Sequence, residues 1–398
     1  MRRIAVVGAS LAGLEAAKEL RRAGFTGELV VFGAEERPPY DRPPLSKELL
    51  TGDWAAPRAT LPLDTAADAD WRLGMPVTRL QAGPRTVEAG GATEDFDGIV
   101  VATGAEPVRP ALRGADGLLG VHLLRDLDQS LALAAELASG PGRVCIVGGG
   151  FIGAEVASAA RARGLAVTVV EGLAAPMERA LGPEVGGRLA AVQRDHGVDL
   201  RLGTTVTGVE GGRRVERARL SDGTTVAADV LVLAVGARPV TGWLAGSGLT
   251  VEDGVVCDET CLAAPGIVAA GDVAVWPNRR FGELRRVEHW DNAIRQGRHA
   301  ARRLLAGDDP AGRVPYTPVP WVWSDQFGRK LQIVGSTAAY DEVRTVPGQA
   351  GDGRFTALYR RGERLVAVAA LDSPRSIVKA RGLLQAETPW RAAAPQFD

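Results

Sequence analysis

"RVCIVGGGFIGAEVASAARARGLAVTVVEG", residues 143–172, decides the fold class. "RVCIV" is an apolar run of strand length that stops at a glycine. Gly148, Gly150 and Gly153 then occupy all three glycine places of G-x-G-x-x-G, with Phe151 and Ile152 between the last two. "FIGAEVASAARA" has helical spacing, Gly164 ends it, and "AVTVVE" is a second strand closing on Glu171. This order aims free N–H groups and the positive end of a helix dipole at a pyrophosphate. Glu171, 18 residues past the last glycine, is placed to accept both hydroxyls of an adenosine ribose. Its charge also repels a 2′-phosphate, which favours NADH over NADPH.

Residues 3–35 repeat the plan. "RIAVV" is the strand, and "GASLAG" puts Gly8 and Gly13 at the outer glycine places, with Ser10 in the middle and Ala12 before the last. "LAGLEAAKELRRAG" is helical with a stop at Gly24, and "ELVVF" is the second strand. The ribose acid here is Glu35, 22 residues past Gly13 and just outside the strand, with Glu36 as a rival. Two cradles, each with an acid downstream, make this a chain that binds two dinucleotides.

Three shorter motifs follow the cradles. "DGIVVATGAEPVRP" (97–110) carries Ala102-Thr103-Gly104 after a strand, and "DVLVLAVGARPV" (229–240) repeats that with Gly236. Such hinges suit crossings between two nucleotide domains. "GIVAAGDVA" (266–274) ends a strand in Gly271-Asp272-Val273, with a helix expected to follow. An acid at such a turn can bond a sugar-alcohol hydroxyl.

Composition removes other classes. The 398 residues are 45% hydrophobic and 24% charged with net charge −1, so nothing global points to nucleic acid or an anionic membrane. The apolar runs are glycine-broken and shorter than a membrane span. "MRRIAVVG" lacks a small-residue cleavage site and runs into the first glycine motif, so it reads as a strand and the location as cytoplasmic. Cys145, Cys257 and Cys261 show no dithiol, zinc or iron–sulfur spacing, and the four histidines show no metal pattern, so no metal site is expected. Redox chemistry then needs a bound organic cofactor.

The order of first cradle, "ATG", second cradle, "GARP" and "AAGD" resembles the two-dinucleotide flavoprotein reductases. Within these, "GAEERPPYDRPPLSK", "VEHWDNAIRQGRHAA" and "VPWVWSDQFGRKLQIVG" resemble the ferredoxin and rubredoxin reductases that serve bacterial cytochromes P450 and ring-hydroxylating dioxygenases. The likeness implies FAD on the first cradle and NADH on the second, in an α/β fold of glutathione-reductase-like architecture. Its implied domains are an FAD-binding domain of 1–107 and 240–315, an NADH-binding domain of 108–239, and a C-terminal α+β domain of 316–398. It also implies hydride transfer from NADH to flavin N5, then single electrons to a [2Fe-2S] or [3Fe-4S] ferredoxin, by a monomer or homodimer. Disulfide reductases share both cradles but need a dithiol. The alternatives are a rubredoxin reductase and a redox-dependent binding module of the apoptosis-inducing type, and turnover with a ferredoxin discriminates the binding module.

"RPPYDRPPLSK" (37–47) puts Pro38, Pro39, Pro43 and Pro44 before Lys47, one of only four lysines. The prolines imply an extended loop over 38–44 and a helix beginning at "LSKELL". A cation in a first helical turn opposes the helix dipole, so stability alone would not choose Lys47. The resemblance places Arg42 near a flavin phosphate and Lys47 at the flavin edge, paired with Glu155 across the domain junction. It places Glu288, His289, Trp290 and Asp272 with the FAD, Arg179 and Gly236 with the NADH, and Trp290 and Trp323 beside the flavin. Gln296 supports these contacts. Residues 285–307 read as a helix. Arginines 279, 280, 285, 286, 302 and 303 are a candidate docking face for an acidic ferredoxin. "KLQIVG", "RFTALYR" and "RLVAVAALD" read as C-terminal strands and "SIVKARGLL" as a helix.

Overall fold

The computed structural model describes residues 1–64, 67–348 and 353–398. It divides into two compact units. The first holds Met1–Asp41, Thr60–Glu106 and Arg238–Trp321, and the second holds Arg42–Ala59, Pro107–Ala237 and Val322–Asp398.

In the first unit Arg3–Val7 is central. It pairs in parallel with Glu28–Phe32 on one side and Gly98–Val101 on the other. Central parallel strands are covered on both faces, which is why Ile4 to Val7 are all apolar and buried. The sheet runs Leu262–Ala264, Ile267–Ala269, Gly98–Val101, Arg3–Val7, Glu28–Phe32, Asp70–Arg72, with only the first pair antiparallel. Helix Leu11–Arg22 packs on helix Trp290–Ala306. A Cβ on Gly297 would stand 2.5 Å from the Ala12 carbonyl oxygen, so glycine lets the two backbones meet.

Two expectations are corrected in this unit. Gly271–Val273 is a single 3₁₀ turn that leads into the strand Ala274–Asn278, not into a helix. Val275 and Trp276 suit a strand, Trp276 is fully buried, and its indole N–H donates to the Tyr316 carbonyl at 3.1 Å. The helix expected from 285 begins at Trp290, because Glu283–Arg285 is the antiparallel partner of that strand.

The second unit carries a five-stranded, wholly parallel sheet in the order Val198–Leu202, Ala166–Glu171, Arg143–Val147, Val230–Leu233, Val121–Leu123. It also carries a five-stranded C-terminal sheet in the order Trp321–Gln326, Arg329–Gly335, Arg364–Leu371, Phe355–Arg361, Glu342–Pro347. Its Arg329–Gly335, Arg364–Leu371, Phe355–Arg361 and Glu342–Pro347 strands pair antiparallel, and helix Pro374–Gln385 packs on the sheet. The expected C-terminal strands and helix are therefore present. The fold is α/β, with two Rossmann-like nucleotide folds and a C-terminal α+β domain.

The proline segment is corrected as well. It is not extended through residue 44, because Arg42 is already helical and Pro43-Pro44 open a 3₁₀ turn over Pro43–Ser46. Proline's fixed φ suits a first turn, where its missing N–H costs nothing. Lys47 sits between this turn and the short helix Glu48–Thr51, in neither.

Candidate functional site

Each cradle is closed by its outer glycines. A Cβ on Gly8 would lie 2.1 Å from the Ala102 carbonyl oxygen, and one on Gly13 would lie 1.8 Å from that of Gly8. In the second unit the matching distances are 2.3 Å from Gly148 to Ala234 and 2.0 Å from Gly153 to Gly148. Gly8 and Gly148 have φ of +118° and +105°, which L side chains rarely adopt. The middle position differs. Gly150 has φ −75° and Ser10 φ −94°, both with extended ψ, and a Cβ on Gly150 would meet nothing within 4 Å. Serine therefore costs this backbone nothing. The open space beside Gly150 lies at the start of helix Phe151–Ala162, and the first N–H groups of this helix and of Leu11–Arg22 lack intrahelical partners. Both cradles thus fit a pyrophosphate.

Glu171 ends its strand and turns back on the glycine loop. Its carboxylate accepts the Gly149 N–H at 2.6 Å and the Leu173 N–H at 2.9 Å. Phe151 and Ile152 open the helix, with Ile152 exposed. Gly236 follows the sheet with φ +113°. Arg179 lies exposed in the first turn of the helix Glu178–Asp195, where Glu178 accepts the Ala175 N–H at 2.9 Å.

In the first unit Glu35 is half-buried and accepts the Tyr40 hydroxyl at 2.5 Å, whereas Glu36 is exposed. The Thr103 hydroxyl donates to the Val240 carbonyl at 2.9 Å, and Gly104 takes φ +68° beside it. Gln296 is fully buried and its amide oxygen accepts the Gly271 N–H at 3.0 Å, which holds the Asp272-Val273 turn against the helix. Asp272 and Glu288 are tied through Arg286, whose guanidinium donates to the Asp272 carbonyl and pairs with Glu288. The His289 Nδ1 is enclosed with no hydrogen-bond partner in the structure. Burial, helped by Arg285, pushes that imidazole down to about 4. At such an enclosed nitrogen a bound group could supply the missing partner. The Trp290 indole N–H donates to Asp41 at 2.8 Å, fixing the ring.

The second unit holds the charged pair. The Lys47 ammonium donates to Glu155 Oε2 at 2.7 Å and to the Pro43 carbonyl at 3.1 Å. Glu155 is 4% exposed. Its Oε2 also accepts the Ser46 hydroxyl, and its Oε1 accepts the Ser324 hydroxyl at 2.5 Å. A buried carboxylate is costly unless its lone pairs are met, and here both oxygens are. The proline pair has its explanation: it sets the turn whose carbonyl receives Lys47. Arg42 donates to the Arg125 carbonyl at 2.6 Å. A cleft of about 360 Å³ opens beside the pair, lined among others by Lys47, Glu155, Asp325, Gln326 and Lys330. Trp323 lies on the Trp321–Gln326 strand, and alternation puts it on the face opposite Ser324.

Ser46, Ser324, Gln326, Tyr40 and Asp41 are contacts that sequence reasoning missed. Ser46 could have been found as the neighbour of Lys47. Nothing in the sequence singles out Ser324.

The six arginines are not uniformly exposed. Arg303 is buried and donates to the Thr260 hydroxyl at 2.9 Å. Arg302 pairs with Glu19, Arg279 with Glu259, Arg285 with Glu283, and Arg286 with both Asp253 and Glu288. Acids inside the same unit take up most of that positive charge.

Comparison with known proteins agrees with this geometry. A family profile described as pyridine nucleotide-disulphide oxidoreductase matches residues 2–297, and one described as reductase C-terminal matches 321–396. Rhodocoxin reductase of Rhodococcus erythropolis is 37% identical over 409 residues, covering 99% of this chain and 93% of that protein. The biphenyl dioxygenase system ferredoxin–NAD(+) reductase component of Paraburkholderia xenovorans (strain LB400) is 35% identical over 96% of this chain and 92% of its own length. The crystal structure of the ferredoxin reductase for the CYP199A2 system from Rhodopseudomonas palustris superposes with a TM-score of 0.92. It is 32% identical and covers 100% of this chain and 98% of that one. With two glycine-closed cradles, a lysine held by a buried glutamate and these likenesses along its whole length, the chain belongs to the ferredoxin reductases of the pyridine nucleotide-disulphide oxidoreductase family.

Proposed function

We propose that the chain is an FAD-dependent reductase that takes electrons from NADH and passes them one at a time to an iron–sulfur ferredoxin. The ferredoxin, with a [2Fe-2S] or [3Fe-4S] cluster, serves a cytochrome P450 or a ring-hydroxylating oxygenase. The observation that carries the reading is two dinucleotide cradles in a chain whose three cysteines are all buried. Burial pushes the Cys145 and Cys257 thiols up to about 12, and that of Cys261 well above its ordinary value. A disulfide reductase needs a reactive thiolate. All three cysteines are free, buried and held toward the protonated thiol, which favours an outside acceptor for the electrons.

Bound FAD supplies the exchange between a two-electron donor and a one-electron acceptor. Gly8, Ser10, Ala12 and Gly13 hold its pyrophosphate and Glu35 its ribose. Ala102 to Gly104, Asp272, Val273, Arg42 and Glu288 to Trp290 hold the rest. Gly148, Gly150, Phe151, Ile152, Gly153, Glu171, Arg179 and Gly236 hold NADH. Lys47, held by Glu155, is the positive charge that favours reduced flavin, and Trp290 and Trp323 exclude water. The FAD-binding domain is 1–107 with 240–315, the NADH-binding domain 108–239 and the C-terminal domain 316–398. The enzyme works in the cytoplasm as a monomer or homodimer; no helix among the described residues is long and apolar enough to cross a membrane.

The test is a visible spectrum of the purified protein, then steady-state turnover with NADH and NADPH against a panel of ferredoxins. The expected result is a flavin spectrum and ferredoxin reduction that prefers NADH. A colourless protein that takes up no FAD overturns the reading.

A further inference from the structure

We propose that Ser324 is a positioning residue for the Lys47–Glu155 pair, so that the C-terminal sheet helps set the charge Lys47 presents. This rests on the reading of Lys47 and Glu155 given above. Ser324 is fully buried, and its hydroxyl donates to Glu155 Oε1 at 2.5 Å. Gln326 Nε2 donates to the same hydroxyl oxygen at 2.9 Å. A hydroxyl has one proton and two lone pairs. With the amide N–H on the oxygen, the single proton is committed to Glu155. The geometry follows from strand alternation, since residues 324 and 326 share one face of Trp321–Gln326. Gln326 is buried too, so the pair of side chains is a rigid bracket.

The bracket acts on the oxygen that Lys47 does not use. Lys47 and Ser46 both donate to Oε2. Ser324 alone among the described contacts donates to Oε1. Holding Oε1 stops the carboxylate from rotating away from the ammonium. The O–H dipole also draws off part of the negative charge that would otherwise offset Lys47. Loss of the hydroxyl therefore leaves Lys47 more fully neutralised and less well aligned.

The test uses Ser324→Val and Ser324→Thr in the FAD-loaded enzyme. The two share a shape and differ in the hydroxyl. NADH reduction of the flavin is followed by stopped flow, and the midpoint potential of bound FAD is measured by titration. Ser324→Val is expected to lower the limiting reduction rate about 10-fold with NADH affinity unchanged, and to lower the potential, while Ser324→Thr stays near wild type in both. In a Glu155→Gln background the valine change is expected to do nothing further, because its effect runs through the carboxylate. Equal behaviour of the valine and threonine variants, or additive loss with Glu155→Gln, overturns the proposal. If the valine variant does not fold, Ser324→Ala carries the same expectations. Lys47→Met separates the two readings: an unchanged reduction rate there sinks the role of Lys47 itself, whereas a slowed rate beside a silent Ser324→Val sinks only the role of Ser324.

Discussion

The two cradles of this chain are built alike where backbone meets backbone and differently where they face outward. At the outer positions Gly8 and Gly148, and Gly13 and Gly153, the space for a Cβ is already filled by a carbonyl oxygen. At the middle position one cradle carries serine and the other glycine, on nearly the same extended backbone. The acids differ as well. Glu171 is gathered in by two amides of its own loop, whereas Glu35 leans on the Tyr40 hydroxyl beyond its strand. The lesson is that two of the three glycines answer a demand of the protein's own packing, and the third answers only to what lies outside it. A missing middle glycine is therefore weak evidence against a cradle.

That comparison breaks if the outer glycines tolerate a methyl group. Gly13→Ala and Gly153→Ala are each expected to cost about 3 kcal/mol or more, because the neighbour that must move is backbone. Denaturant unfolding reads the loss, with falling FAD content for the first variant and weakened NADH binding for the second. A variant that melts like wild type would show that the loops yield.

A smaller effect sharpens the contrast between the acids. Glu171→Ala is expected to lower kcat/KM for NADH about tenfold, or about 1.4 kcal/mol, and to narrow the preference over NADPH as the repulsion of a 2′-phosphate disappears. Unchanged selectivity between the two nucleotides would show that Glu171 only braces its loop.

The smallest effect concerns the middle position. Ser10→Gly is expected to cost about 0.5 kcal/mol and Gly150→Ser to regain about as much, both through the freedom of the unfolded chain. Thermal melting reads both, and a loss instead of a gain for Gly150→Ser would mean that the space beside it is less open than the backbone indicates.

Outside the cradles, local signals fix the backbone only in part. The prolines at 43 and 44 excluded a regular helix before Lys47 but did not tell an extended loop from a 3₁₀ turn, since proline's φ serves both. "GDVA" has the look of a strand-to-helix turn, but "AVW" behind the aspartate is better strand material and becomes a strand. The arginine-rich segment from 279 to 303 shows its charges in sequence but not their partners, which only the fold brings to them. Glu19 stands 283 residues from Arg302 and meets it across two packed helices.

What the sequence determined alone was whatever short-range stereochemistry enforces: the strand–glycine–helix units, the acids behind them, the absence of a usable dithiol, and the family likeness those motifs carry. What only the tertiary structure decided was which distant groups share a charge. Glu155 receives Lys47 from 108 positions away, Ser46 from 109 and Ser324 from 169. A glycine turn is dictated by its own φ and its nearest neighbours, so it is legible in a few letters. A buried carboxylate is satisfied by whatever donors the folded chain brings to it, and no spacing in the sequence encodes that meeting.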